Sequence, residues 1–203
     1  MHNMEKAIAS HLYHENMSLA EARNLSIVGC VQTQLAGFSC VPWEGGFNIA
    51  KMVELALNNG VDTLTGEQLG PQTGDPESFR SYEEFYGAVL KQLQYFIPLQ
   101  RKINRIAWNI ERDFPVPFAS SVANDCIKLG KDAIDGGVRY NQANGTTFVG
   151  GIDTANSLAT VKKLVFEEKK ITMKQLREAL AADWEGYEDI RHMCLNAPKY
   201  GND

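Results

Sequence analysis

Ser26-Ile27-Val28-Gly29-Cys30-Val31-Gln32 is the stretch whose reading decides the fold. Ile27 and Val28 are β-branched and suit a short strand. Gly29 permits a sharp bend directly after them. Cys30 follows the bend, and an amide side chain stands two places further on at Gln32. Immediately upstream, Ser18-Leu19-Ala20-Glu21 has the spacing of a capping box, which predicts a short helix over 19–25. Downstream, QTQLAGFSCVPWEGG (residues 32–46) is dense in glycine and mixes large apolar with polar side chains, as pocket walls do. Cys30 is therefore expected at the tip of a turn, held between a capped helix and a loop.

Outward from this centre the pattern is mostly helical. Met4, Ile8 and Leu12 fall near helical spacing before the capping box. Phe47, Met52, Val53, Leu55 and Ala56 predict a helix over 47–59, ended by Asn59-Gly60 in left-handed backbone. Residues 61–79 carry four turn signals and are expected to form a surface excursion with few packed contacts. A long helix is expected from Tyr82 to about Asp113, carrying Phe85, Val89, Leu93, Phe96, Ile103, Ile106 and Ile110 on one apolar stripe and kinked or split at Pro98. Residues 114–118 read as extended, 121–135 as a helix, 138–141 as a strand and 144–151 as a second glycine-rich loop. Helices follow over 156–169, over 173–182 behind Thr172, and over 187–195. Helix, short buried strand, helix is an α/β pattern. Only two or three strands are evident, too few to close a sheet, and the chain reads as a slice of a larger barrel.

Composition narrows the function classes. The 203 residues carry a formal net charge of -5. An acidic chain lacks the basic face that nucleic-acid binding requires. No apolar run reaches membrane-spanning length, and the N-terminus shows no signal pattern, so the cytoplasm is the expected compartment. There the four cysteines (Cys30, Cys40, Cys126, Cys194) are expected to be reduced. Their wide spacing, with no CxxC, does not suit a metal site. His11 and His14 have no acidic partner at ligand spacing and are expected on an exposed helix face. The glycines around Gly150 match neither GxxxxGK[ST] nor GxGxxG, so turns are the better reading.

The run SLAEARNLSIVGCV resembles the active-site cysteine segment of the glycyl radical enzymes, the superfamily of pyruvate formate-lyase, the radical diol dehydratases, choline trimethylamine-lyase and the arylacetate decarboxylases. The likeness continues in order through Phe47-Asn48, LALNNGVDTLTGEQLGPQTGDPESFRSYEE, GGVRYNQANGT, DTANSLATVKKLVFEEKKIT and NAPKYGND. It implies a portion of a ten-stranded α/β barrel of pyruvate formate-lyase type, with Cys30 on the central finger loop. Residues 1–203 would be a single partial domain, without the N-terminal half and the C-terminal glycyl radical segment. It also implies chemistry. An activating enzyme using S-adenosylmethionine and an iron–sulfur cluster installs a glycyl radical on a segment this chain lacks. That radical takes hydrogen from the cysteine, and the thiyl radical abstracts hydrogen from a small-molecule substrate. No cofactor would be bound by this chain itself. The implied partners are the activating enzyme, the rest of the enzyme or a complementary chain, and a second copy in a homodimer; neither nucleic acid nor membrane is among them.

The sequence departs from the family pattern in two places. Dehydratases and decarboxylases carry a glutamate two residues after the cysteine as acid/base; here it is Gln32, which has donors and an acceptor but exchanges no proton near neutral pH. The radical glycine, found in an Arg-Val-x-Gly-Tyr context, has no counterpart. Val31 after Cys30 also disfavours pyruvate formate-lyase activity, which needs adjacent cysteines. The candidate catalytic residues are thus Cys30 and, as replacement acid/base, Glu44; the candidate substrate-binding residues are Gln32, Trp43 and Phe38. The expected activity is a radical lyase cleaving a C–C, C–O or C–N bond, decarboxylase- or dehydratase-like, the aromatic loop favouring the former. The competing expectation is a truncated, inactive fragment or scaffold subunit. Taken without the resemblance, Cys30 is a small buried apolar residue, as free cysteines usually are, and Trp43 and Phe38 serve a core as readily as a pocket.

Overall fold

The computed structural model describes residues 17–28, 32–40, 45–141 and 147–201. Among them the elements in chain order are α1 (Leu19–Ala22), β1 (Leu25–Val28), β2 (Gln32–Leu35), β3 (Ser39–Cys40), β4 (Gly46–Asn48), α2 (Ala50–Leu57), α3 (Tyr82–Glu111), α4 (Pro117–Ser121), α5 (Cys126–Leu129), β5 (Tyr140–Asn141), β6 (Thr147–Val149), α6 (Gly151–Val161), α7 (Met173–Ala181) and α8 (Glu188–Leu195). The chain forms two compact units, one within residues 1–45 and 102–145 and the other within 46–101 and 146–203. The helix-rich α/β class expected from the pattern is what these elements form.

In the first unit the capping box forms as its spacing predicts. Glu21 N donates to Ser18 Oγ at 3.3 Å, and Ser18 N donates to the Glu21 carboxylate at 3.0 Å. The helix stops at Ala22, short of residue 25, because Leu25 is already in β1. β1 pairs antiparallel with β2, Leu25 opposite Leu35 and Val28 opposite Gln32. The loop expected from residue 32 is therefore a strand at its start. The ladder satisfies its backbone, and Leu25 and Leu35 bury together with Met17 and Ala22. β3 runs parallel to β5, with Ser39 opposite Tyr140.

The single helix expected over 121–135 is two short pieces and a turn. Gly130 takes the left-handed conformation after α5. Asp132 then gathers donors from three places: Val116 N at 2.8 Å, Ser120 Oγ at 2.7 Å and Ile134 N at 3.0 Å. Those bonds need a chain reversal that a continuous helix would forbid. Pro117, expected in an extended run, is instead the first residue of α4, where its missing N–H costs nothing.

The second unit contains the larger core, with Phe47, Leu55, Phe85, Leu164, Leu176 and Ile190 among its buried members. β4 and β6 pair in parallel with Phe47 opposite Phe148, and each strand leads directly into a helix. Phe47, expected inside a helix, is thus a strand residue. Its ring meets Phe148 edge to face at 5.6 Å, and Asn48 Oδ1 accepts from Ala50 N at 3.1 Å, which delays the helix start. Residues 147–149, expected in a loop, form β6. The following helix begins at Gly151, ahead of residue 156, and widens into a π-type turn at its end, where Glu168 N donates to Lys163 O at 2.8 Å. Thr172 and Gln175 form the second capping box at the start of α7.

Two expectations about the middle of the chain are refined. Residues 61–79 lie mostly on the surface, as expected, but are tied down by hydrogen bonds. Gln68 Nε2 donates to the carbonyls of Asn59 (2.9 Å) and Gly70 (2.7 Å), Gly74 N donates to Asn59 Oδ1 (2.9 Å), and Asp62 pairs with Lys51 of α2. Turn-forming side chains supply the contacts that apolar ones supply elsewhere. α3 continues through Pro98 as one helix. Gln94 and Pro98 are both exposed, so the carbonyl that lacks an amide partner can reach water. Of its expected stripe, Phe85 and Val89 are buried and Leu93 and Phe96 pack partly against the core, whereas Ile103, Ile106 and Ile110 are more than half exposed; Ala88 and Gln92 are buried beside the stripe.

Candidate functional site

Cys30, Trp43, Glu44 and the side chain of Gln32 lie outside the described residues. What surrounds them in sequence is well defined. Val28 and Gln32 are the last paired positions of β1 and β2, and Cys30 is the middle one of the three residues between them. The hairpin is braced by polar contacts. Ser26 Oγ donates across it to the Gln34 carbonyl at 3.1 Å. Gln34 Nε2 donates onward to the Ser39 carbonyl at 2.7 Å, and Leu35 N donates to Ser39 Oγ at 3.2 Å. Ser39 is buried. These bonds tie the strands flanking Cys30 to β3, whose last residue, Cys40, precedes the Val41–Glu44 segment.

Phe38 is half-buried against the Met17, Ala22, Leu25 and Leu35 cluster. Its ring carries the Arg139 guanidinium, with Cζ 4.7 Å from the centroid. Arg139 also donates from Nη1 to Glu21 Oε1 at 3.1 Å and from Nε to Asp125 Oδ2 at 3.2 Å. Tyr140 packs beside the same cluster, and its N–H donates to the Phe38 carbonyl at 2.9 Å. Ser18 first, then Tyr140 and Arg139, hold the Glu21 carboxyl below its ordinary range. Burial, and then the Glu21 charge, push the Tyr140 phenol up. The Asp125 and Glu21 carboxylates fix Arg139 in its charged form.

Sequence reasoning singled out Phe38 but missed Arg139, Glu21 and Asp125. Arg139 is exposed and its carboxylate partners come from distant segments, so nothing in the local sequence marks it.

The other cysteines are free thiols. Cys126 is buried and Cys40 half-buried, both in the cluster with Ala133 and Val138. Burial, followed by the Asp132 charge, raises both thiols, and burial raises Cys194. Asp132 itself is pushed up by burial, but hydrogen bonds from Ser120, Ile134 and Val116 outweigh this and leave its carboxyl low. Among the described residues, no group of three or more His, Cys, Asp or Glu could hold a metal ion. No helix among them is long and apolar enough to cross a membrane.

A family model described as pyruvate formate lyase-like matches residues 1–203. The trans-4-hydroxy-L-proline dehydratase of Clostridioides difficile is 40% identical over 203 residues, a match covering 98% of this chain and 25% of that protein. The (2S)-3-sulfopropanediol dehydratase of Klebsiella oxytoca is 36% identical over 197 residues, covering 95% of this chain and 24% of that protein. The crystal structure of the Clostridioides difficile hydroxyproline dehydratase with bound substrate superimposes with a TM-score of 0.84 at 39% identity, over 97% of this chain and 25% of that one. The chain thus spans about a quarter of the length of the relatives it matches.

Proposed function

Because the chain belongs to the pyruvate formate lyase-like family, we propose that it supplies the hydrogen-abstracting cysteine of a glycyl radical lyase, with Cys30 in that role. The observation that carries this reading is the family match over all 203 residues, Cys30 included. The dehydratase names of its relatives support cleavage of a C–O bond in a small hydroxylated substrate, ahead of decarboxylation.

The proposed cycle balances at Cys30. Its sulfur radical takes a hydrogen atom from a substrate carbon, leaving an S–H and a substrate radical. That radical expels the neighbouring hydroxyl as water, and the product radical takes the hydrogen atom back from Cys30. A thiol suits the step because its S–H bond is close in strength to an activated C–H bond, so transfer is reversible. The glycyl radical that arms Cys30 lies on polypeptide outside these residues and is installed by a radical S-adenosylmethionine activating enzyme. The loss of hydroxyl needs a proton. Gln32 cannot provide one, so we assign proton transfer to Glu44, which gives its proton to the leaving hydroxyl and takes one back from the O–H or N–H on the radical-bearing carbon, so that the product radical is neutral and Glu44 ends protonated as it began; Gln32 hydrogen-bonds the substrate. Trp43 and Phe38 form apolar walls that keep water from the radical. In the whole enzyme this chain forms part of a ten-stranded barrel with Cys30 on its inner finger loop, as a cytoplasmic homodimer. Val31 beside Cys30 disfavours acetyl transfer of the pyruvate formate-lyase kind.

The test is anaerobic reconstitution with the polypeptide bearing the radical glycine and its activating enzyme. Cys30→Ser is expected to keep the glycyl radical signal in electron paramagnetic resonance and to abolish turnover. Turnover surviving that change overturns the assignment, and wild-type protein that gains the radical yet turns over no hydroxylated substrate supports a scaffold role instead.

A further inference from the structure

We propose that Ile103, Ile106 and Ile110 of α3 form a docking seam for a helix of the same enzyme that lies outside these 203 residues, an apolar helix edged with carboxylates. The proposal rests on the reading of the chain as one part of a glycyl radical lyase.

The spacing of the seam says what shape covers it. Phe85, Val89, Gln92 and Phe96, then Leu99, Ile103, Ile106 and Ile110, follow one another in alternating steps of four and three. That is the repeat of a helix that packs lengthwise against another helix. In the second unit the repeat is used: Phe85, Val89 and Gln92 are buried, and Phe96 packs against the core. In the first unit Ile103, Ile106 and Ile110 are 59%, 51% and 53% exposed. The same turns make their contacts on another side, where Asn104, Ala107, Trp108 and Glu111 are half-buried and Trp108 Nε1 is closed off from solvent. The helix thus half-buries Asn104 and Glu111 while leaving three isoleucines bare, the reverse of what a surface helix does. Phe114 and Phe118, exposed just beyond the helix, add to the apolar surface of this unit.

Charge and length select the partner. Lys102 and Arg105 are exposed on the turns that carry the seam, and no carboxylate among the described residues pairs with them. A second copy of the chain would bring the same uncompensated cations. The chain spans about a quarter of the length of its relatives. In a protein of that build most of the polypeptide able to cover the seam lies outside these residues, and carboxylates on it would answer Lys102 and Arg105.

The experiment measures binding of the chain to the polypeptide bearing the radical glycine, anaerobically and with Cys30→Ser in every protein, so that no turnover intervenes. Ile103→Glu with Ile106→Glu is expected to weaken binding roughly thirtyfold or more. Leucine at both positions should keep it within about threefold. Lys102→Glu should weaken it roughly threefold at low salt and less at high salt. Maleimide should label Ile106→Cys in the free chain and roughly tenfold more slowly in the complex, which decides the matter should the double glutamate variant fail to fold. Sedimentation of the wild-type chain alone should show a monomer. Absent binding by wild type, unchanged binding by the double glutamate variant, or equal labelling of Ile106→Cys in the free and bound chain each overturns the proposal. So does a dimer of the free chain that the glutamates disperse, because the occupant is then a second copy. Binding that needs the isoleucines, with wild-type enzyme that turns over nothing, removes the lyase reading alone. Turnover that depends on Cys30, with binding indifferent to the isoleucines, removes the docking seam alone.

Discussion

Gln92 Nε2 donates to the Pro71 carbonyl at 2.8 Å, 21 residues back along the chain. Gln92 is fully buried, and the same nitrogen reaches Thr73 Oγ1 at 3.3 Å. A helix residue thereby holds a glycine-rich excursion in place. Replacing it by leucine leaves the Pro71 carbonyl without this donor, at a cost of about 1–3 kcal/mol. Gly70 lies against the same side chain, and a Cβ there would stand 2.0 Å from Gln92 Oε1. Gly70→Ala is therefore destabilising, and Gly70→Ala with Gln92→Ala should cost less than the sum of the two single changes, because the shortened side chain relieves the clash. Urea unfolding of the four proteins measures this; strict additivity would contradict the contact.

The excursion has a second tether whose strength depends on pH. Asp62 is buried and pairs with Lys51 and with Thr65, whose Oγ1 donates at 2.6 Å. The Lys51 contact first, then Thr65, lowers its carboxyl to about 2. A carboxyl lowered by folding stabilises the fold above its unfolded value and loses that contribution as pH falls toward the folded one. Asp62→Asn should thus be less stable than wild type at pH 6, and the gap should close between about pH 4 and 2. Chemical denaturation across that range is the check, and a gap independent of pH would exclude the ion pair as its source.

Locally encoded features were legible in the sequence. The capping box of Ser18 with Glu21 forms as its spacing predicts, and Thr172 caps its helix as expected, with Gln175 completing a second box; every partner lies within one turn. β2, β4 and β6 were not legible. Each is three or four residues long, and each exists because of a partner, as Phe47 does through Phe148. The excursion over 61–79 lies largely on the surface, as expected, but its tethers were not legible: polar side chains hold it, and apolar periodicity does not register them. At the candidate site, spacing alone does not distinguish Cys30 from a core cysteine; the family resemblance is what makes it a candidate. The Arg139–Glu21 ion pair was not legible because its partners stand 118 residues apart.

The cysteines should separate by reactivity. Burial raises the thiols of Cys126, Cys40 and Cys194, so each holds less of the reactive thiolate at neutral pH than an ordinary cysteine. Cys126 is also closed to reagent at 2% exposure. Iodoacetamide at pH 7.5 should label Cys126 slowest of the three in the folded chain, and all three at similar rates in urea. Fast labelling of Cys126 under native conditions would mean that the cluster with Ala133 and Val138 opens readily.

Gly150 offers a test of how the two strand-to-helix junctions of the second unit meet. It has φ +77°, and a Cβ on it would lie 3.1 Å from Asn48 Oδ1 and 3.2 Å from Ala50 Cβ. Asn48 is itself held, because its oxygen accepts from Ala50 N at 3.1 Å. Ile49 N also donates to the Val149 carbonyl at 3.1 Å, so neither junction can withdraw without losing a backbone bond. Gly150→Ala therefore combines backbone strain with crowding and should cost more than about 1 kcal/mol. Gly66 in the same unit has φ +74° with nothing within 4 Å of an added Cβ. Gly66→Ala accordingly measures the strain alone. The difference between the two urea midpoints isolates the crowding of Gly150 against Asn48 and Ala50, and equal losses would mean that the junctions have room to part.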